Sequence, residues 1–464
     1  MRSNRTTYNA TVGFLVVLIL VTGVSISAQS KKDVKRAKDL TEQANKFFNQ
    51  KNYHDAADSY GQSIALVPNN SYAHFWKGYA HYYLKEYEPA VSELSIALSQ
   101  GFKPIEVYKL RWYIYYDQKN YDGALDDIQK GLAVEPKNVT FLKALGEIQY
   151  AKSSYPDALA SFQRALEASP NDGDLYYNIA RADLSLNDTK GQAAAAESAV
   201  KLGTPMLGEA YYLLGDAKQK LKDPGAAIQA YQRAISAKPM IYQAYRNLSE
   251  LFRSENRLAE AIDISKRALL LYPNDGYIYT DLSWYYSLSD RNDEAVGAAL
   301  AGIRFLPDQY MAYTNLCRAS NDVKQYQQAI TACLNGLRLN PNDGETYFYL
   351  ARAYDLSGKK DDATRSYAKA VSGLVEYTRA NPDYSDGYYL LGNAYFADDQ
   401  RDKAIDAYTK CLQISPRFIR AMYNLGYVQV LNKNKQAAME QYRALLAVDQ
   451  ARAAQLKIQI DKLK

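Results

Sequence analysis

Residues 385–416 read SDGYYLLGNAYFADDQRDKAIDAYTKCLQISP. Tyr388, Leu391, Gly392 and Tyr395 recur at spacings of three and four, the interval that keeps side chains on one face of a helix. The polar run Asp398 to Arg401 interrupts the pattern, and Ala404, Tyr408 and Cys411 resume it before Pro416. The stretch therefore reads as a helix, a tight turn and an antiparallel second helix, each with one apolar stripe.

Working outward, the same arrangement returns along most of the chain. Eleven prolines, at 68, 104, 136, 170, 205, 239, 273, 307, 341, 382 and 416, follow one another at intervals close to 34. A fixed period of this length marks a repeat array. Pro89, Pro156 and Pro224 lie just before the second helix of their units, where a missing backbone N–H forfeits no helical bond. Twelve units begin at 37, 71, 105, 139, 173, 208, 242, 276, 310, 344, 385 and 419, and the twentieth position is alanine in eleven of them.

With these residues in place the chain resembles the tetratricopeptide repeat family over residues 37–452. That family has a large residue at position 4, Leu at 7, Gly or Ala at 8, an aromatic at 11, Ala at 20, an aromatic at 24, Ala at 27 and Pro at 32. The unit from 208 shows the pattern again, with Tyr211, Leu214, Gly215, Ala227, Tyr231, Ala234 and Pro239. The resemblance implies an all-α, right-handed solenoid of about twelve helix-turn-helix repeats with a long concave face. Three units depart from the pattern. The unit from 173 carries Gln192, Ala196 and Thr204 at positions 20, 24 and 32, which predicts looser packing. The unit from 344 is seven residues longer, and Val371, Leu374 and Val375 predict about two extra turns on its second helix. The unit from 419 lacks its proline and runs into residues 453–464, where Ala453, Leu456, Ile460 and Leu463 predict a capping helix.

Composition narrows the function. With 47% hydrophobic and 23% charged residues the chain is a folded protein, and a formal charge of +5 over 464 residues offers nucleic acid no concentrated field. Residues 1–28 read as a secretory signal peptide: Arg2 and Arg5, an apolar run over 12–26, then the small residues Ser25, Ser27 and Ala28. The run is shorter than the roughly 20 residues that span a bilayer, so removal is the expected outcome, with an uncleaved membrane anchor as the alternative. A short basic linker is expected over 29–36. The expected location is periplasmic or secreted.

The resemblance places positions 2, 5, 9 and 12 of each first helix on the concave groove. In the units from 71 to 172 these positions carry Tyr72, Phe75, Tyr79, Tyr82, Tyr113, Tyr116 and Tyr150, seven aromatics that the repeat framework does not require. Tyrosine offers large contact area, little entropy loss and a hydrogen-bonding tip, so this track suits a protein or peptide partner. Packing of the same rings on a neighbouring helix is the competing explanation. The units from 173 to 275 are mixed in charge there, with Tyr177, Arg181, Tyr212, Asp216, Arg246, Glu250 and Arg253 among others, and their charges are expected to neutralise one another. Phe348, Tyr389, Phe396, Tyr423 and Tyr427 form a second aromatic track. The Lys and Asn set with which some family members grip a terminal carboxylate is not supplied by any three consecutive units.

Catalytic signatures are scarce. No phosphate loop and no CxxC pair occurs, and no histidine follows His81. His74 and His81 occupy framework positions 4 and 11, seven residues apart, and are expected to pack rather than to bind metal. Cys317 and Cys333 sit at positions 8 and 24 of one unit; export would permit a disulfide, while the usual 8–10 Å spacing of packed helices favours two buried thiols. No cofactor, metal or enzymatic activity is expected. The chain reads as a protein-binding scaffold, the alternative being a carbohydrate- or peptide-processing subunit that uses groove carboxylates.

Overall fold

A computed structural model describes residues 30–463. The expected leader over 1–28, with its cleavage or anchoring, lies outside the described residues. Among the described residues the chain forms 25 α-helices and no strand, an all-α array of helical hairpins. No helix there is long and apolar enough to cross a membrane.

The chain divides after Asn171 into two compact units. The first holds α1 (Lys31–Asn49), α2 (Tyr53–Leu66), α3 (Ser71–Tyr83), α4 (Tyr87–Ser99), α5 (Pro104–Asp117), α6 (Tyr121–Val134), α7 (Val139–Ala151) and α8 (Tyr155–Ala168). The second opens with α9 (Gly173–Ser185), α10 (Thr189–Leu202), α11 (Leu207–Lys220), α12 (Pro224–Ala237), α13 (Tyr242–Ser254), α14 (Leu258–Leu271), α15 (Gly276–Leu288) and α16 (Asn292–Phe305). It continues with α17 (Tyr310–Asp322), α18 (Tyr326–Leu339), α19 (Gly344–Leu356), α20 (Lys360–Ala380), α21 (Ser385–Ala397), α22 (Arg401–Ile414), α23 (Ile419–Leu431), α24 (Lys435–Leu446) and α25 (Gln450–Asp461). Odd-numbered helices up to α23 are the first helices of the repeats, and in each unit every helix packs on its neighbours in sequence.

Each hairpin turns in the same way. After α1, the Asn52 amide donates to the Phe47 carbonyl and the Lys51 amide to Phe48, both at 2.9 Å, with Lys51 at φ +60°. This is the Schellman arrangement, which satisfies carbonyls at the helix end and reverses the chain within three residues. Lys85, Lys119, Ser153, Asn187, Lys222, Asn256, Asp290, Lys324, Asp399 and Lys433 repeat it at the same register, and Gly358 does so in the unit from 344. The left-handed position is usually glycine's. Lysine stands at six of these twelve places, where its charge also complements the helix C-terminus.

Positions 8 and 24 face each other where the two helices of a hairpin cross. A Cβ on Gly392 would lie 2.5 Å from the Tyr408 ring, and one on Gly215 would lie 2.6 Å from Tyr231. In these two hairpins the ring lies too close for any side chain opposite it, so the backbone there must be bare. The unit from 310 fills the same crossing with Cys317 and Cys333, whose sulfurs are bonded and whose Cα atoms stand 5.3 Å apart. General helix spacing overstates the separation at this point, because the framework brings the two backbones together there.

Some expectations are corrected by the packing. The stretch expected as a linker over 29–36 is helical from Lys31: Ser30 caps α1 by accepting from the Asp33 amide, and Asp33 occupies the favourable first turn. The unit from 173 is not loosened. Gln192 is buried in α10 and its amide donates to the Leu213 carbonyl at 2.8 Å and to Asp216 at 2.9 Å, tying α10 to α11. Thr204 likewise donates to Asp174 at 3.0 Å. A polar side chain that finds partners replaces the usual alanine without loss of contact. α20 runs for 21 residues, against 14 in most second helices, and its extension buries Leu374 and Thr378. α25 begins at Gln450, three residues before the expected cap, because Asp449 accepts from the Arg452 amide; Ala453, Leu456 and Ile460 are buried on its inner face.

Candidate functional site

In the first unit, the aromatic groove positions form a connected ladder of rings. Phe75 is buried and stacks on Phe102 with centroids 4.4 Å apart. Tyr79 lies between Trp76 at 5.7 Å and Tyr83 at 5.2 Å, stacked on both. Tyr82 meets Tyr79 at 6.2 Å and the edge of Tyr113 at 5.9 Å, linking α3 to α5. From Tyr113 the chain of rings continues through Trp112 to Tyr116. Tyr72 packs on Trp76 and donates to Asn45 at 3.3 Å. Tyr150 meets Tyr155 of its own hairpin instead.

The ladder is therefore partly core and partly surface. Phe75 belongs to the core, Tyr79, Tyr82 and Tyr116 are half-buried, and Tyr72 and Tyr113 remain 40% and 43% exposed. Burial, with the neighbouring Tyr83 hydroxyl, pushes the Tyr79 phenol up to about 12. Burial and then Tyr113 push Tyr82 up as well. Both hydroxyls stay neutral at physiological pH and present hydrogen-bonding tips on an apolar wall. Sequence reasoning missed Phe48 and Tyr83. Phe48 touches Tyr53, Trp76, Tyr79 and Tyr83, and Tyr53 stacks on Tyr83 at 4.3 Å. Phe48 stands at position 12 of its unit, so the groove rule would have found it had the first repeat been read as well.

The histidines of α3 face partners of their own. His74 is buried, with Nδ1 2.5 Å from Glu93 and Nε2 3.1 Å from the Pro68 carbonyl. Burial works against the Glu93 carboxylate, but Lys77 and His74 together hold it below its ordinary range. His81 pairs with Glu86. Among the described residues, no group of three or more His, Cys, Asp and Glu side chains is arranged to hold a metal ion.

In the second unit, the predicted groove residues are drawn into pairs. The Arg181 guanidinium lies over the Tyr177 ring at 5.6 Å. Tyr212 packs beside Tyr231, and burial followed by Asp216 raises its phenol. Arg246 binds Asp281 at 2.9 Å, Asp216 binds Lys220 at 2.7 Å, and Glu209 meets Lys238. Arg253 is almost fully buried: it binds Glu250 at 2.6 Å, covers the Trp284 ring at 4.3 Å and reaches Asp386 of α21 at 3.3 Å. The groove carboxylates Glu209, Asp216 and Glu250 are thus each matched by a cation.

The first helices α15, α17, α19, α21 and α23 surround a cavity of about 710 Å³. Phe348, Tyr389 and Tyr423 of the second aromatic track line it, beside Trp284, Arg318, Asn321 and Glu345. Phe396 instead packs on Tyr427, itself stacked on Tyr423. Burial pushes the Glu345 carboxyl up to about 7, opposed by Arg318. Trp284 and Arg318 occupy position 9 of their units and Ser287 and Asn321 occupy position 12. The same rule that selected the tyrosines points to them, but only the fold shows that they share one cavity.

Profiles described as tetratricopeptide repeat match residues 41–101, 113–173, 154–206 and 212–276. Further profiles of that description match 332–365, 385–418 and 419–452. No curated protein matches the chain. Among solved structures, the Cut9–Hcn1 hetero-tetramer of the APC/C is similar at 14% identity over 92% of this chain and 97% of that one, with a TM-score of 0.42. Yeast Tom70 is similar at 15% identity over 92% and 95%, with a TM-score of 0.41. A tetratricopeptide repeat protein from Parabacteroides merdae is similar at 15% identity over 55% and 99%, with a TM-score of 0.40.

Proposed function

Because the chain belongs to the tetratricopeptide repeat family, we propose that it is a non-catalytic scaffold that holds a protein or peptide partner against the aromatic face of α3 and α5. The connected ring ladder supports this reading, since it reaches the surface at Tyr72 and Tyr113. Large apolar side chains with polar tips, left exposed at positions the fold does not need, are what a binding hot spot requires. The leader-like composition of residues 1–28 supports export, and with it a partner in the cell envelope or outside the cell.

The reading is tested by placing a photo-crosslinking residue at Tyr113 in the full chain and, as a control, at Val134, which is exposed on a second helix. One protein captured from an envelope preparation at Tyr113 and not at Val134 supports it. Equal capture at both positions, or none at either, rejects it.

A further inference from the structure

We infer that three adjacent loops of the second unit form a rim that binds the surface of an anionic lipid bilayer. The inference is independent of the ring ladder and needs no occupant in the groove.

The first observation concerns apolar side chains. The loops that follow α10, α12 and α14 lie side by side. The Tyr272 ring packs on Tyr242 with centroids 5.2 Å apart, its hydroxyl donates to the Met240 carbonyl at 2.8 Å, and a Cβ on Gly208 would lie 2.6 Å from that of Lys238. Along this edge Leu202, Met206, Met240, Leu270 and Leu271 are all exposed, Met240 to 59% and Leu270 to 83%. Single exposed apolar residues are ordinary, but a group of large ones on one edge marks a contact with protein or lipid.

The second observation concerns how these side chains are held outward. Each loop carries a proline, Pro205, Pro239 and Pro273, which restricts its backbone. The Met206 amide donates to Thr204 Oγ1 at 3.1 Å, and the Thr204 hydroxyl donates to Asp174 at 3.0 Å. The bond from Tyr272 fixes the Met240 backbone in the same way. Folding the apolar tips inward would break these contacts, so the rim is presented before any surface arrives and little ordering is needed on binding.

The third observation concerns charge. Carboxylates at the loops are taken up by the fold: Asp174 accepts from Thr204, Glu209 pairs with Lys238, and Asp275 caps α15 by accepting from the Ile278 amide. Lys201, Arg233, Lys266 and Arg267 stand exposed within the last two turns of α10, α12 and α14. Lys266 is felt by Glu294, whose own partner is Arg291. Against these cations Asp263 is exposed a turn before Arg267 on α14, so positive charge is in excess. Protein interfaces gather apolar residues at a centre from which lysine is depleted. Here lysine and arginine are interleaved with the apolar tips, a composition that suits an anionic bilayer. Leucine and methionine would enter the acyl boundary while the cations lay their stems along it and met lipid phosphates.

The test labels the full chain with an environment-sensitive fluorophore at Leu270→Cys and, as a control, at Leu300→Cys, exposed on α16 of the same unit. Cys411 is buried and Cys317 and Cys333 are bonded to each other, so the label goes to the introduced thiol. Each protein is mixed with vesicles of phosphatidylcholine and with vesicles of equal parts phosphatidylcholine and phosphatidylglycerol, both carrying a quencher in the acyl chains. The expected result is quenching at Leu270 on the anionic vesicles only, and none at Leu300. Lys201→Gln, Arg233→Gln, Lys266→Gln and Arg267→Gln together should weaken the vesicle affinity about tenfold or more. Met206→Ser with Met240→Ser, which leaves the cations in place, should weaken it as well. Quenching at both positions alike, which the label or residues 1–28 could produce, overturns the inference. So does quenching at neither position, equal quenching on neutral vesicles, or unchanged affinity in either set of variants. Absence of quenching, with one protein captured by a photo-crosslinking residue at Leu270, would make the rim a protein contact instead. All of these outcomes leave capture at Tyr113 to judge the scaffold reading separately.

Discussion

Arg253 and Asp386 stand 133 residues apart in sequence and meet at 3.3 Å inside the second unit. A parallel contact joins the Arg420 guanidinium to the Leu288 carbonyl at 3.0 Å. In both cases first helices four hairpins apart are brought together, α13 with α21 and α15 with α23. Removing Arg253 would leave the Asp386 and Glu250 carboxylates without their cation. Arg253→Met should therefore destabilise the second unit by about 3–5 kcal/mol, and Arg253→Met with Asp386→Asn should recover part of that loss. Urea titration followed by circular dichroism measures both, and equal stability of the single variant and wild type would show that the bridge is not formed in solution.

Stability of the second unit should fall as pH rises through the neutral range. Burial, opposed by Arg318, raises Glu345 from 4.5 to about 7 in the folded state. Between those values the folded state binds more protons than the unfolded one, so stability is greatest below the unfolded value and is lost progressively up to the folded one. Asp281, which burial pushes up to about 6 against the pull of Arg246, acts in the same direction over a lower window. The observable is the difference between wild type and Glu345→Gln in melting temperature from pH 4.5 to 8. A difference that stays constant across this range would contradict the assignment.

Reduction should weaken the same unit. The bond between Cys317 and Cys333 closes a loop with a sequence separation of 16, and a cross-link over such a loop is worth about 3 kcal/mol. Melting with and without a reductant should differ accordingly, while Cys317→Ser with Cys333→Ser should melt identically in both conditions. Mass spectrometry of unreduced protein gives the independent check, because two free thiols there would remove the effect.

Truncating the ring ladder should affect binding more than folding. Tyr79→Ala with Tyr113→Ala should weaken capture of the partner by roughly 2 kcal/mol while helix content is retained. Tyr79 touches Phe48, Trp76 and Tyr83, so its removal also lowers the melting temperature of the first unit. Tyr113→Ala alone, on a residue 43% exposed, separates the two effects. Unchanged affinity in the double variant would exclude the ladder as the contact site.

Much of this was legible in the residues because each hairpin is a local object. The spacing of Tyr388, Leu391 and Tyr395, the alanine at the twentieth position and the returning prolines all act within about 34 residues, where helix formation and hairpin closure are decided. The tyrosine surplus also had a local explanation, since 22 of the 43 occupy framework positions 4, 11, 17 and 24. Position within the repeat sorted side chains into framework and expected groove positions, but it could not say that Phe75 would be consumed by Phe102, nor that Gln192 would find Leu213 and Asp216.

What the sequence determined by itself is the repeat: its helices, its turns and the faces each helix must bury. Tertiary structure decided which of the remaining side chains meet. The approach of Cys317 to Cys333 depends on where two helices cross, and the meeting of Arg253 with Asp386 depends on small rotations summed over four hairpins. The unpartnered atoms of Arg318 and Asn321 belong to the same class, because the helices packed around a polar side chain decide whether it is solvated or buried.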